Sequence, residues 1–306
     1  MIESGSHVVG VSPDAFGLPA GTALRCERPA PALTAMFPSY AVLDSDPEVR
    51  QGAGSWILPS AAQIWIGLEA GPISVQVRNR RYAALGSAML FGPTSSATPV
   101  MSRGGVTVVL DVSPVGWARL FATSAADVRD RIEPLDAHLS RPWGDMLIER
   151  LHACDRGGDV KSVLDRFFAE HLPGPTGSEA LVGRVAQALF ESETDVASLP
   201  AELGIGDRAL LRLCNRYFGF GPKLLQRRIR FLRAFTAMLA TNEQVDFSAV
   251  PPGYHDVPHF LRDAAQFLGM TPRQFIAMPI LYLRAVLRAR MLVANAPVSS
   301  LDRIPA

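Results

Sequence analysis

VASLPAELGIGDRALLRLCNRYFGFGPKLLQRRIRFLR, residues 196–233, decides how the rest of the chain is read. It runs as a short helix, a tight turn, a second helix, a Gly-Pro break and a long basic helix. Gly204 and Gly206 flank Ile205 at the turn and supply the backbone freedom that a sharp corner needs. Asp207 follows, an acid suited to the positive end of the next helix. Leu210, Leu213, Cys214 and Tyr217 then recur at three- and four-residue steps, which predicts one buried face. The opposite face carries Arg208, Leu211, Arg212 and Asn215, with Arg216 at its edge. Gly219 predicts the helix stop, and Gly221-Pro222 permits a new start.

Charge indicates what the open face meets. Residues 204–233 hold eight basic side chains, Arg208, Arg212, Arg216, Lys223, Arg227, Arg228, Arg230 and Arg233, against one acid, Asp207. The whole chain has a net charge of only +1, so the excess is local. A basic stripe on a helix-turn-helix is the footprint of a phosphate-backbone partner.

At 306 residues and 48% apolar content, the chain has length and greasy mass for two globular domains. Cys26, Cys154 and Cys214 are far apart and form no CxxC pair, which predicts reduced thiols and no zinc site. No apolar run approaches the roughly eighteen residues of a membrane span, and residues 1–21 lack the pattern of a secretory signal. A cytoplasmic location without membrane contact is expected.

Residues 1–22 are rich in Gly, Ser and Pro and read as a flexible arm. Residues 23–172 read as a β-rich sensor or dimerisation domain with a helical C-terminal part. Its clearest strands are Ala62–Leu68, Ser74–Val77 and 106–112, at a spacing that suggests a small barrel or sandwich. After Pro114, helical periodicity is expected over 115–121, 125–131, 143–153 and 159–171. The last carries an apolar stripe of Val160, Val163, Leu164, Phe167 and Phe168, which either pairs two subunits or covers the barrel. Residues 173–178, within LPGPTGS, read as a linker, and 179–279 as a DNA-binding domain. Residues 280–306 read as a further helix and tail, with Ile280, Leu283, Leu287, Met291 and Ala294 on one side, which either covers the DNA-binding domain or joins a dimer contact.

The helix-turn-helix device occurs twice. Gly253-Tyr254 marks a second turn and Asp256 a cap. A helix over 258–267 follows, with Phe260, Ala264 and Phe267 inward; Gly269 stops it, and Thr271-Pro272 begins another. Two such probe helices reach successive major-groove segments about 34 Å apart.

With these residues in view, the sequence resembles the arabinose-regulator-like (AraC/XylS) transcription factors over about residues 180–278. The likeness rests on Leu203-Gly204, Leu210, Arg212-Leu213, Phe218-Gly219, Pro222, Arg230 and Arg233-Ala234. It continues through Gly253-Tyr254, Asp256, His259-Phe260, Arg262, Phe267, Gly269, Thr271-Pro272 and Phe275. The resemblance implies a unit of seven helices with two helix-turn-helix motifs, binding double-stranded promoter DNA and contacting RNA polymerase. It implies base reading by Arg208, Leu211 and Arg212 on the first probe helix and by Val257, Leu261 and Arg262 on the second. An arginine forks onto guanine and a leucine touches a thymine methyl. Asn215, Arg216, Lys223 and Arg227 are then the phosphate contacts. Pro200 departs from the family pattern and predicts a supporting helix that starts near Leu199. Val257 and Ala264 depart from it in the second motif, so the first motif is expected to supply most sequence discrimination. The first hundred-odd residues are similar to the cupin-derived sensor domains of some of these regulators, through Pro59, Gly92-Pro93, the strand 106–112 followed by Pro114, and Trp117 with Leu120-Phe121.

No metal or cofactor is expected. The six histidines fall outside the strand region and form no H-x-H pair, and no P-loop, GxGxxG or G-x-S-x-G occurs, so the chain is not read as an enzyme. A small-molecule effector pocket is expected in the β-rich domain. Trp56, Trp65, Met89, Phe91 and Met101 would form its walls, with Arg78 or Arg103 orienting an anion. The fold class expected is α+β in two domains: a cupin-like barrel or sandwich, then an all-α domain with two helix-turn-helix motifs. The function expected is a sequence-specific transcription regulator, controlled by an effector or by homodimerisation. The alternative is a cupin-like enzyme or metabolite-binding protein whose DNA-binding domain is secondary.

Overall fold

The computed structural model describes residues 1–49, 53–69, 71–191, 196–240 and 250–294. Ten strands and ten helices follow in order within them. The strands of the N-terminal half are β1 (Thr22–Glu27), β2 (Tyr40–Ser45), β3 (Ala53–Ile57), β4 (Ala62–Leu68), β5 (Ser74–Val77), β6 (Arg80–Tyr82), β7 (Ala88–Phe91), β8 (Thr98–Ser102) and β9 (Gly105–Val112). Then come α1 (Pro114–Leu120), β10 (Ile132–Pro134), α2 (Gly144–His152) and α3 (Val160–His171). The C-terminal half is helical: α4 (Glu179–Glu191), α5 (Leu199–Leu203), α6 (Asp207–Phe218), α7 (Pro222–Ala240), α8 (Val257–Leu268), α9 (Pro272–Ile276) and α10 (Leu281–Ala294).

The strands make two sheets, a six-stranded one in the order β1-β2-β9-β4-β7-β10 and a four-stranded one in the order β3-β8-β5-β6. β9 shows how alternation builds the layers. Val106, Val108, Leu110 and Val112 join the core that α1 and α3 cover, while Val109 joins the core between the sheets. β4 divides the same way, with Ile64 and Ile66 toward the helices and Trp65 between the sheets. Sheet-on-sheet packing with helices on one outer face is the α+β arrangement the sequence predicts.

The α3 stripe is used within the chain: Val160, Leu164, Phe167 and Phe168 are buried in the helix-side core, so of the two uses expected for it, covering the sheet is the one realised. Residues 125–131, expected to be helical, form turns instead. Their amides serve tertiary bonds: Ala125 and Ala126 donate to the carbonyls of Arg216 and Asn215 at 2.7 and 3.1 Å. The first 22 residues, expected to be a loose arm, are tied down. Gly5 exchanges backbone bonds with Leu24 and Cys26, and a 3₁₀ turn at Pro13–Phe16 inserts the fully buried Phe16 into the inter-sheet core. Tying a terminus to a sheet edge is what removes its freedom.

The two halves share a core. Apolar residues of α1 and α3 run without a break into Val182, Val185 and Leu189 of α4, Leu210 and Phe218 of α6, and Leu225 and Ile229 of α7. Arg119 of α1 pairs with Glu179 of α4 across residues 173–178, Nε to Oε1 at 2.6 Å. The segment expected as a linker therefore joins packed bodies.

Burial also sets thiol chemistry. Desolvation pushes Cys26 and Cys214 from the ordinary 9.0 up to about 12. Between those values the folded chain holds protons that the unfolded chain releases, so stability falls as pH rises from about 9 to about 12 and is untouched by these thiols below that window. Native-state labelling at pH 8 is expected to modify the half-buried Cys154 first, with Cys26 and Cys214 reacting only in denaturant. Mass mapping of the modified peptides checks this.

Candidate functional site

The helix α7 holds the two helix-turn-helix motifs together. Its first half, through Leu225 and Ile229, packs with Leu210, Cys214 and Phe218 of α6. Its next turns, through Phe231, Leu232 and Phe235, pack with Phe260 and Phe267 of α8. The Phe231 ring lies 5.8 Å from that of Phe260 and 5.4 Å from that of Phe267. Burying such a ring contributes about 1.5–3 kcal/mol, so α6 and α8 are fixed to one rod.

Local chemistry starts and stops each probe helix as the sequence predicts. Gly204 (φ 68°) ends α5, and Gly219 (φ 81°) ends α6 in the left-handed region. Gly219 has a second reason to lack a side chain, since a Cβ there would lie 3.0 Å from Pro93 Cγ and 3.2 Å from the Ala125 carbonyl. Asp256 caps α8 by accepting from the His259 amide at 2.6 Å, and Thr271 opens α9 with a reciprocal bond pair to Gln274.

Of the residues expected to read bases, Arg208, Leu211 and Arg212 are exposed on α6, Leu261 and Arg262 are exposed on α8, and Val257 is half-buried. Arg262 turns back on its own helix, Nε to the Pro258 carbonyl at 3.3 Å. Among those expected at phosphates, Lys223 is exposed at the start of α7 and Asn215 is half-buried. Arg216 is exposed and lies over the Tyr217 ring at 5.5 Å.

Arg227 departs from its expected place at phosphate. Its Nη2 donates to Asp263 Oδ1 at 2.6 Å and to Gln266 Oε1 at 2.7 Å. Asp263 is fully buried on α8, and a carboxylate without water needs cations. It takes Arg227, Arg230 (Nη2 to Oδ2, 3.1 Å) and the Tyr254 hydroxyl (3.0 Å). Burial beside this acid pushes the Tyr254 phenol up. Arg228 and Arg233 also leave the basic stripe. Arg228, 1% exposed, donates to the carbonyls of Ser60 and Thr94, and Arg233 donates to the Phe190 carbonyl. Of the eight basic residues, four therefore hold helices or halves together.

Each probe helix rests its C-terminal end on the β-rich half. The carbonyls of Asn215 and Arg216 accept from Ala126 and Ala125, and the Phe267 carbonyl accepts from Ala97 at 2.7 Å. The carbonyls of Arg216 and Phe267 are end groups that a helix cannot satisfy itself, and that of Asn215, which also accepts from the Gly219 amide, gains a second donor. The N-terminal turns, with Arg208, Leu211, Leu261 and Arg262, remain open.

A second site lies between the sheets, in a cavity of about 150 Å³. Its walls include Trp56 and Trp65 as expected, but none of Arg78, Met89, Phe91, Met101 or Arg103. Met89 and Phe91 are buried in the surrounding core, Phe91 stacked on Trp65 at 4.3 Å; Met101 and Arg103 are exposed, and Arg78 donates to Ser95 at the β5–β6 hairpin. The arginine that does line the cavity is Arg290 of α10, with Nη2 at 2.8 Å from Asp111 Oδ2. Asp111 also accepts from Ser39 Oγ (2.6 Å) and Gln63 Nε2 (2.7 Å), and Gln63 Oε1 accepts from Trp65 Nε1 (3.1 Å). Strand alternation carried a signal for Asp111, an acid on the inward face of VTVVLDV. Nothing local marked Arg290. Among the described residues no group of three His, Cys, Asp or Glu side chains is arranged to hold a metal ion, and no helix is long and apolar enough to cross a membrane.

Two helix-turn-helix motifs on one shared helix, beside a two-sheet domain, define a DNA-binding class of chain. The comparisons agree: residues 199–278 match the family model described as a helix-turn-helix domain, and the chain carries a DNA-binding domain of the AraC type there. No curated protein matches the sequence. Among solved structures the chain is similar to an apo lysine-to-alanine variant of ToxT from Vibrio cholerae, at 13% identity over 85% of this chain and 98% of that one, with a TM-score of 0.43. It is similar to wild-type ToxT from the same organism bound to an unsaturated fatty acid, at 12% identity over 75% and 92%, TM-score 0.41. It is also similar to the AraC-like transcriptional activator CuxR, at 12% identity over 62% and 72%, TM-score 0.23. None of these likenesses is close enough to transfer a ligand or a partner.

Proposed function

We propose that this chain is a sequence-specific regulator of transcription that acts on promoter DNA in the cytoplasm. Arg208, Leu211 and Arg212 of α6 enter one major-groove segment, and Val257, Leu261 and Arg262 of α8 enter the next. Lys223, Arg216 and Asn215 set the register on phosphates. The observation that carries this reading is that both probe helices are anchored at one end and open at the other, and the open ends hold arginines. The β-rich half is the controlling domain. Its loops at Ala97 and at Ala125-Ala126 bond directly to α8 and α6, so a change in the barrel reaches both. Control by an effector in the inter-sheet cavity is favoured over dimerisation through α3, because the apolar stripe of α3 is buried under the sheet.

A salt titration tests the reading. DNA fragments selected from a random pool are expected to bind with log K falling linearly in log salt, at a slope of about −3 to −5 for three to five neutralised phosphates. Affinity that does not change with salt, or no selected sequence at all, would remove DNA as the partner.

A further inference from the structure

The inter-sheet cavity is lined on one side by a helix outside the helix-turn-helix domain. α10 starts on the aromatic core of the second motif, where Ile280, Leu283 and Leu287 pack near Phe231, Phe235 and Phe275. It ends at the barrel, where Ala289 and Val293 join Leu24, Cys26 and Trp65. Between these ends Leu283, Val286, Leu287 and Arg290 line the cavity. Of the residues read as one apolar side, Ile280, Leu283 and Leu287 are buried and Met291 is 38% exposed, while Val293 is buried on the barrel. Arg290 thereby reaches Asp111, 179 residues earlier in the chain.

We propose that this cavity binds a small neutral molecule, one ring bearing a hydroxyl or carbonyl oxygen. Size comes first, because a mostly apolar space of this volume accommodates something like a benzene ring with one substituent, roughly eight heavy atoms. The walls come second: Trp56, Trp65, Ile73, Val109, Leu232 and Val286 are apolar. Charge comes third. Asp111 is 1% exposed and satisfied by Ser39, Gln63 and Arg290, and Arg290 is neutralised by Asp111. A carboxylate at this end faces Asp111, and an amine faces Arg290, each with little water between to screen it. A neutral oxygen meets neither penalty. Among the described residues, the hydrogen bonds of Arg290 run through Nη2, and its buried Nε donates to none. Arg290 lines this end of the cavity, so a neutral acceptor there meets a guanidinium whose charge Asp111 already balances.

This deepens the effector reading and rests on it only for what occupancy does to DNA; binding itself is measured without DNA. Calorimetric titration of the full chain at pH 7 compares benzyl alcohol, benzoate and benzylamine, which share a ring and differ in charge. Benzyl alcohol is expected to saturate one site at least about tenfold more tightly than the other two. Asp111→Asn is expected to improve benzoate by about tenfold or more and to change benzyl alcohol little, since it leaves the Arg290 charge unopposed. Val109→Phe is expected to fill the cavity and abolish binding. Benzoate ranking first in the unmodified chain, no saturable binding by benzyl alcohol, or binding unchanged by Val109→Phe would each overturn the proposal. If either variant fails to fold, the order of the three compounds on the unmodified chain decides. A chain that binds benzyl alcohol but no DNA upholds this site and overturns the regulator reading. One that binds selected DNA but ranks benzoate first overturns this site alone.

Discussion

Asp263→Ala is expected to destabilise the chain by about 2–4 kcal/mol, measured as the shift in its denaturant unfolding midpoint. The carboxylate is fully buried and holds α7 to α8 through Arg227, Arg230 and Tyr254. Removing it leaves the Tyr254 hydroxyl without this acceptor, Arg227 with only Gln266 Oε1 and Arg230 with only the His259 ring. The figure lies toward the low end for a broken buried pair, because the Arg227 side chain is 41% exposed and can turn to water. Asp263→Asn keeps the shape and one acceptor oxygen and is expected to recover part of the loss. The same substitution should weaken DNA binding in buffer where the chain is still folded, since α8 then loses its tie to the rod it shares with α6. A loss below about 0.5 kcal/mol would mean that the ring contacts of Phe231 alone hold the motifs together.

Arg212→Ala is expected to cost about 1–3 kcal/mol of discrimination at one base pair, a factor of about 5 to 150 in relative affinity. Arg262→Ala is expected to cost less. Arg262 is already bonded to the Pro258 carbonyl, and its neighbour Val257 offers a base no hydrogen bond. Lys223→Ala should weaken all sequences alike and reduce the salt slope by about one. Competition binding against single-base variants of a selected site separates the three. A larger specificity loss from Arg262→Ala than from Arg212→Ala would reverse the order proposed for the motifs.

How much of this was legible in the chain follows from the range of each interaction. The probe helices, their glycine stops and the Asp256 and Thr271 caps are decided by residues within about four positions of one another, so spacing alone reveals them. Strand alternation likewise determined which residues of β4 and β9 face the helices and which face the other sheet. The exposed arginines of α6 were legible for the same reason, since a helix with one apolar face presents the other.

The destinations of the remaining arginines were decided only by the fold. Arg208, Arg212, Arg227 and Arg228 look alike in sequence, all lying in the basic run. Packing sends Arg227 to Asp263 and buries Arg228 under the carbonyls of Ser60 and Thr94. It also brings Arg290 into a cavity that the sequence furnished with Arg78 and Arg103. A guanidinium settles where a carboxylate or a bare carbonyl waits out of water, and that partner is chosen by which elements pack together. Periodicity therefore told which faces are greasy and which are charged, while the meeting of distant segments decided which charges hold the molecule together and which stay open for another.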